Sequence, residues 1–414
     1  MKRWRLFFAS ISLAAAMTIP VSAQQTTDRL TVAAALDLAE RQNLDLIAAR
    51  AQRAVAAAGV RVAGERPNPT ASFGASRDAP HENALIDQPL EIGPKRQRRI
   101  DVAKQEGALT ETDISAIERQ VRRSIREGYY GLAYARGSTS LQADALKLAE
   151  RLRDIARARF ESGDIPQLEL TQAELEATRA HADLQVAQQE EKVALSDLNA
   201  LLNEPAAKDW DLGDAFVTPP PATTLDELLA RAGNSNSEIA RISQEARLER
   251  SRKALLEAER IPNLGLQFGF DLNNPGSGVN SGGYMVGPRG QISMPLPIFS
   301  HNQGEIAQST AAERALEGEL AAARRAADAK VESAYFDLRA RQTQVQLYRE
   351  TVVPSSQRLE EMAEESYRAG KAGILTVLGA QHDVQQAQRD YLGSELAMQS
   401  AFAQLEEAVG APLE

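Results

Sequence analysis

Two kinds of hydrophobic pattern alternate along this chain. In the first, Leu264, Leu266, Phe268, Phe270 and Leu272 are interleaved with Gly265, Gln267, Gly269 and Asp271. Tyr284, Val286, Ile292, Met294 and Leu296 keep one parity on the return. A period of two over this length predicts a hairpin with one apolar and one polar face, over about 263–272 and 284–297. A fainter hairpin is predicted over about 69–77 and 84–92, where Ala71, Phe73 and Ala75 alternate with Ser72, Gly74 and Ser76 before Ile86, Leu90 and Ile92 return. The second pattern is helical. Residues 97–160 hold no proline, which predicts a near-continuous helix of roughly 95 Å at 1.5 Å per residue. Its counterpart, about 302–368, carries Pro354 and should be kinked or jointed there. Returning helices are predicted over about 167–202 and 374–409, with seams such as Leu170, Ala173, Ala177, Ala180 and Val377, Ala380, Val384, Ala387 at three- and four-residue spacing. Alanine gives each helix little apolar surface and lets backbones approach closely. Such helices should pack on more than one flank, as in a wall.

The two patterns occur twice. Arg66-Pro67-Asn68 and Phe73-Gly74 fall on Ile261-Pro262-Asn263 and Phe268-Gly269 at an offset of 195. Pro89-Leu90 falls on Pro295-Leu296, and Tyr129-Tyr130 on Tyr335-Phe336, at 206; Phe160-Glu161-Ser162-Gly163 falls on Tyr367-Arg368-Ala369-Gly370 at 207. Each copy closes alike, Leu202-Asn203-Glu204-Pro205 over Val409-Gly410-Ala411-Pro412. A repeat this long is a duplicated half-protein. The expected division is 24–205 for the first copy, a proline-rich linker at 206–224, and 225–414 for the second.

The first residues change how the hairpins are read. Met1 to Arg5 are basic, Leu6 to Ile19 are mostly apolar, and Val21-Ser22-Ala23 is a small-x-small cleavage site. This is expected to be a secretory signal peptide over 1–23, the apolar run being shorter than the ~20 residues a spanning helix needs. Removing Lys2, Arg3 and Arg5 takes the formal charge of −10 down by a further three, a poor balance for binding nucleic acid. With no cysteine in the chain, neither disulfides, thiolate metal sites nor an N-terminal lipid anchor are available. In an exported chain, a strand with one apolar face reads as lipid-facing, here through Leu264, Leu266, Phe268 and Phe270. Four strands cannot close a barrel, and open edges are forbidden in lipid. Several chains are therefore expected to share one.

The duplicated plan resembles the outer-membrane efflux protein family of TolC over essentially the whole mature chain. Gln88-Pro89-Leu90-Glu91-Ile92-Gly93-Pro94-Lys95-Arg96 with Arg99, and Met294-Pro295-Leu296-Pro297-Ile298-Phe299-Ser300-His301-Asn302-Gln303-Gly304, are similar to its heavy-metal branch typified by CzcC. The resemblance implies a mainly α chain with a membrane β-barrel: a long helical tunnel plus a composite twelve-stranded barrel shared by a homotrimer. It implies residence in the outer membrane of a Gram-negative bacterium, with a periplasmic extension. The implied partners are outer-membrane lipid, a periplasmic adaptor and a proton-driven inner-membrane RND pump, and the implied cargo is divalent metal such as cobalt, zinc or cadmium. A general drug duct of the same fold is the nearest alternative, and a soluble periplasmic coiled-coil adaptor or scaffold the alternative from another class.

Within that frame the helical turns become expected adaptor-docking tips, through Gly163 and Asp164 in the first copy and Gly370, Lys371 and Gly373 in the second. Asp164, with Pro166, is expected to start the returning helix. Where family members carry carboxylates beyond the second tip this chain has Thr376 and Gly379, so Asp164 and Glu169 are the candidates for an acidic aperture ring. The basic run Lys95-Arg96-Gln97-Arg98-Arg99 is expected at the periplasmic rim, reaching lipid phosphates. His81, His181, His301 and His382 lack metal-ligand spacing. No catalytic grouping, cofactor motif or phosphate-cradling loop is present, so no enzyme and no cofactor are expected.

Overall fold

The computed structural model describes residues 28–76, 82–213, 216, 223–273 and 285–413. The expected signal peptide, His81 and the whole stretch 274–284, with Tyr284 of the expected returning strand, lie outside them. The first half runs β1 (Asp28–Leu30), α1 (Val32–Gln42), α2 (Leu44–Ala63), β2 (Thr70–Ala75), β3 (Glu82–Leu90), α3 (Lys95–Glu161) and α4 (Gln167–Leu202). After β4 (Trp210–Leu212) come α5 (Leu225–Ser235), α6 (Ser237–Glu259), β5 (Leu264–Asn273), β6 (Met285–Ser293), α7 (Gln303–Leu347), a π-helical turn (Tyr348–Val352), α8 (Val353–Arg368) and α9 (Ile374–Val409).

α3 is one helix of 67 residues, roughly 100 Å long. Its counterpart is jointed: α7 passes through the π-helical turn into α8, with Pro354 in the first turn of α8. A π turn holds one residue more than the α-helix it interrupts. That residue accounts for the change in the repeat offset from 206 at Tyr335 to 207 at Tyr367. The joint expected at Pro354 falls at this turn, which ends at Val352. β6 stops at Ser293, short of the expected 297, because Pro295 and Pro297 lack the N–H a ladder needs.

The helices lie side by side. Near the strands the row is α2, α3, α6, α7; at the far end it is α4, α3, α9 and α7 continuing into α8. Between these levels, two short cores thicken the row into a belt. The first gathers Leu36, Tyr129, Leu198, Leu202 and Trp210, and the second Leu228, Val331, Phe402, Leu405 and Val409. β1 and β4 pair in parallel beside the first core, so part of the expected linker is regular structure. Trp210 donates its indole N–H to Asn199 at 2.7 Å and Tyr129 its hydroxyl to the Leu30 carbonyl at 3.0 Å, satisfying groups that burial would otherwise leave costly.

Two asparagines fix the belt in both halves. Asn43 caps α2 through Leu46 N–H at 3.1 Å and donates to the carbonyl of Leu201, at the end of α4, at 2.9 Å. Asn236 caps α6 through Ile239 N–H at 3.2 Å and donates to the carbonyl of Ala408, at the end of α9, at 3.0 Å. Each amide thus satisfies one orphan donor and one orphan acceptor of helix ends. α4 and α9 then stop at residues in left-handed conformation, Asn203 (φ 55°) and Gly410 (φ 79°).

Candidate functional site

Three regions of the row carry the features that function can use: the sheet at one end, the collar where strands become helices, and the turns at the other end.

The sheet has the order β2-β3-β5-β6, antiparallel throughout. Its register places Ile86 opposite Phe268 and Ala84 opposite Phe270, with Phe73 beside Ala84 and Ile292 beside Leu266. Leu90 and Leu264 extend the same face, so all four strands contribute to one apolar surface. It is bare: Phe73 is 84 % exposed, Phe268 58 % and Ile292 72 %. Leu264 and Leu266 are half-buried on this surface and Phe270 exposed. The opposite face carries Asp87 beside Gln267 and Gln291, and Asn83 beside Asp271. Arg289 comes within 3.8 Å of Asp271 across that face. The outer edges of β2 and β6 have no partner strand among the described residues.

At the collar the structure corrects the reading of the basic run. Lys95 is buried and donates to the side chain of Asn263, which precedes β5. Arg99 forms a two-point contact with Glu91, one arm at 3.0 Å, and reaches the Glu65 carbonyl at 3.3 Å. Arg96 donates to the carbonyl of Gly64, the cap of α2, at 2.6 Å, and Arg98 sits 3.6 Å from Asp101. Lys95, Arg96 and Arg99 thus tie α3 to the end of α2, to Glu91 after β3 and to Asn263 before β5, whereas Arg98 is exposed and pairs along its own helix. Hydrogen bonding from Arg99 holds the Glu91 carboxyl below its ordinary value against the opposing effect of burial, with Lys95 and Arg96 adding to it. Burial lowers Lys95. Asn302 plays the equivalent part in the second half, left-handed at φ 61° and donating to the Leu256 carbonyl at 3.1 Å.

At the far end each long helix closes with the same two bonds. Gly163 N–H bonds Phe160 at 3.0 Å and Asp164 N–H bonds Arg159 at 2.9 Å; Gly370 N–H bonds Tyr367 and Lys371 N–H bonds Ser366, both at 2.9 Å. This is the Schellman closure, with glycine left-handed at φ 83° and 70°. Gly163, Asp164, Gly370, Lys371 and Gly373 are all exposed, and a Cβ at either Gly163 or Gly370 would meet nothing within 4 Å. Asp164 does not start the returning helix: the cap of α4 is Pro166, without a side-chain bond. Glu169 stands half-buried in the first turn of α4. The turns are not independent, since Ile165 of one and Tyr367 and Ile374 of the other share one core with Leu152 and Val377. The Arg159 guanidinium lies 5.0 Å from the centre of the Tyr367 ring.

Side-chain pairs joining the two halves gave no sequence signal. Arg126, 2 % exposed, lies 3.0 Å from Glu406 and 5.2 Å from the centre of the Phe402 ring. Arg123 bonds Glu407 at 2.6 Å. Sequence shows both charged pairs on helices, but only packing of α3 against α9 shows that they meet.

No described helix is long and apolar enough to cross a membrane. A family model described as outer membrane efflux protein matches residues 35–204 and 228–411. Among characterised relatives, the cobalt-zinc-cadmium resistance protein CzcC of Cupriavidus metallidurans is 26 % identical over 381 residues, 91 % of this chain and 88 % of that one. The nickel-cobalt-cadmium resistance protein NccC of Alcaligenes xylosoxydans is 27 % identical over 53 % of this chain and 48 % of its own. Among solved structures, the open-state MtrE outer membrane channel of Neisseria gonorrhoeae matches with a TM-score of 0.72 at 17 % identity, over 92 % of this chain and 89 % of that one. A helical row carrying an apolar-faced sheet is thus the fold of outer-membrane channels, and the chain belongs to the outer membrane efflux protein family, a non-enzymatic transport component of the Gram-negative outer membrane.

Proposed function

We propose that this chain is one third of a trimeric exit duct that passively conducts divalent metal cations out of the cell. The observation that carries the proposal is the sheet: one face bare and apolar, the other polar, and two edges open. In lipid an open edge leaves a row of backbone groups without partners, each costing several kcal/mol, so the sheet must be closed by further copies. Three copies supply twelve strands, with Asn83, Asp87, Gln267 and Asp271 lining a water-filled interior. The helical row continues the wall into the periplasm, where the paired tips around Gly163 and Gly370 meet an adaptor and, through it, an RND pump. Asp164 and Glu169 stand nearest the tip of the first hairpin and are proposed as the carboxylates of an aperture ring, which attracts cations and repels anions. The family relationship to CzcC and NccC, named for resistance to cobalt, zinc, cadmium and nickel, supports metal as cargo.

A charge on the lipid face tests the duct. Phe268→Asp should cost somewhat less per copy than the about 2–4 kcal/mol of an Arg or Lys near the midplane, and three copies should remove assembled protein from the outer membrane. Normal assembly of this variant would refute the lipid-facing strand. Cargo is tested by growth of a deletion strain across cobalt, zinc, cadmium and a panel of organic drugs. Sensitivity confined to the drugs would replace metal by a general efflux duct.

A further inference from the structure

Within one chain the long helix α3 is covered by the returning helix α9, and the register of that seam is fixed by three contacts. A Cβ on Gly137 would come within 3.0 Å of Leu392, Arg126 meets Phe402 and Glu406, and Arg123 meets Glu407. The helices run antiparallel. In the strip of α3 beneath α9 Arg126 is 2 % exposed, and Tyr130, also 2 % exposed, is buried beside it in the first core, stacked on Phe216.

The second copy of this strip has no cover. At the offset of 206, Arg126, Tyr130 and Gly137 correspond to Glu332, Phe336 and Thr343 on α7, and all three are exposed, Phe336 at 60 %. α9 corresponds to α4 at 207, so Leu392, Gln399 and Phe402 become Gln185, Lys192 and Leu195. Lys192 and Gln185 are exposed and Leu195 is half-buried, whereas Gln399 and Phe402 are 2 % and 1 % exposed. α7 and α4 are the two ends of the row, so they cannot meet within one chain. Neither Glu332 nor Lys192 has an ion-pair partner among the described residues, and the duplicated register brings these opposite charges within about one helical turn of each other across a seam between copies.

We propose that the strip Glu332, Phe336, Thr343 of α7 receives the strip Gln185, Lys192, Leu195 of a second copy of this chain, in the antiparallel register that α3 and α9 adopt within one chain. Glu332 then pairs with the partner subunit's Lys192, whose stem covers Phe336, and Thr343 faces the partner subunit's Gln185. The inference rests on the trimeric reading and adds its register. It also assigns the seams opposite polarities. Inside a chain the cation is on the long helix (Arg126) and the anion on the returning helix (Glu406); between chains the anion is on the long helix and the cation on the returning one. An α4 placed against α3 in the α9 position would set Lys192 near Arg126 and leave no carboxylate at the Glu406 position, so like charges penalise the exchanged arrangement.

The chain has no cysteine, so introduced pairs report without background. In the full-length protein in outer membranes, Thr343→Cys with Gln185→Cys should form covalent multimers on oxidation. Thr343→Cys with Lys192→Cys, displaced by about 10 Å along the helix, should not. Native mass before oxidation separates the two levels: absence of a trimer overturns the assembly and this seam together, whereas an intact trimer that crosslinks through the displaced pair, or through neither, overturns the register alone. Charge reversal adds a second readout. Glu332→Lys and Lys192→Glu should each lower the trimer fraction and the double variant should restore it; additive loss in the double variant counts against the pair.

Discussion

α4 and α9 are both 36 residues long, carry the same alanine-spaced seam and end at a left-handed residue, yet one is half bare and the other enclosed. Among the large apolar residues, Leu168, Leu175, Val186 and Val193 on α4 are exposed, the last at 60 %, whereas on α9 only Leu375, in its first turn, is. The difference is position in the row. α9 lies between α3 and α7, whereas α4 has α3 on one flank and the end of the chain's wall on the other. The seam therefore builds the hairpin in both copies, and the remaining faces of α4 are available to another subunit.

Truncation at an equivalent pair should separate these roles most strongly. Phe402 is 1 % exposed in the belt core, so Phe402→Ala should cost about 3–5 kcal/mol and reduce the folded protein recovered. Leu195, at the matching place on α4, is half-buried, packed against the edge of the first core. Leu195→Ala should leave the chain folded and lower the trimer fraction, as read by native mass in detergent. Equal loss of folded protein in both variants would undo the comparison.

The helix ends give the next largest effect. A Cβ at Gly410 would lie 2.3 Å from the Ser235 carbonyl, so Gly410→Asn, which carries the residue of α4 into α9, should cost about 1–3 kcal/mol through overpacking. The reverse exchange, Asn203→Gly, keeps the left-handed turn and should cost under about 1 kcal/mol. Thermal melting of the two variants checks the asymmetry.

α9 also buries a carboxyl where α4 has an amide. Glu395 is 6 % exposed and corresponds to Gln188; burial raises its pKa, against a hydrogen bond from Tyr391 and the charge of Arg349. Tyr391 is itself pushed up to about 12, by burial and by Glu395. A carboxyl raised in the folded state favours folding below its ordinary value, and that contribution is lost as pH rises from the ordinary value through the raised one. The melting temperature of the parent should therefore fall relative to that of Glu395→Gln across this window. A constant difference between them would remove Glu395 from the account.

The smallest effect is expected at the tips. Gly163→Val and Gly370→Val meet no neighbour and should cost about 1 kcal/mol for the left-handed turn, leaving trimer abundance unchanged. If these turns dock an adaptor, crosslinking to it should nevertheless fall, and Gly370→Val cells should approach a deletion strain in metal sensitivity. Unchanged crosslinking would remove the tips from the docking surface.

Local pattern by itself determined the helical stem and the apolar-faced sheet. Alternation in Leu264 to Leu272 and three-four spacing from Ala173 to Ala187 are set by the periods of strand and helix, which no distant contact alters. The slip from 206 to 207 was legible as well, but only the tertiary structure located the extra residue in the π turn before Pro354. What packing alone decided lies between segments far apart in sequence. Asn43 and Asn236 look like any residue between two helical runs, and Arg126 like any charge on a helix, until the ends of α4 and α9 are brought against them. The basic run showed the same limit: its charge was plain, but whether Arg99 faced lipid or Glu91 depended on where the end of α2 came to rest. Periodicity fixes which face of an element is apolar, whereas the partner of that face is set by the order of elements in the row, and that order is long-range.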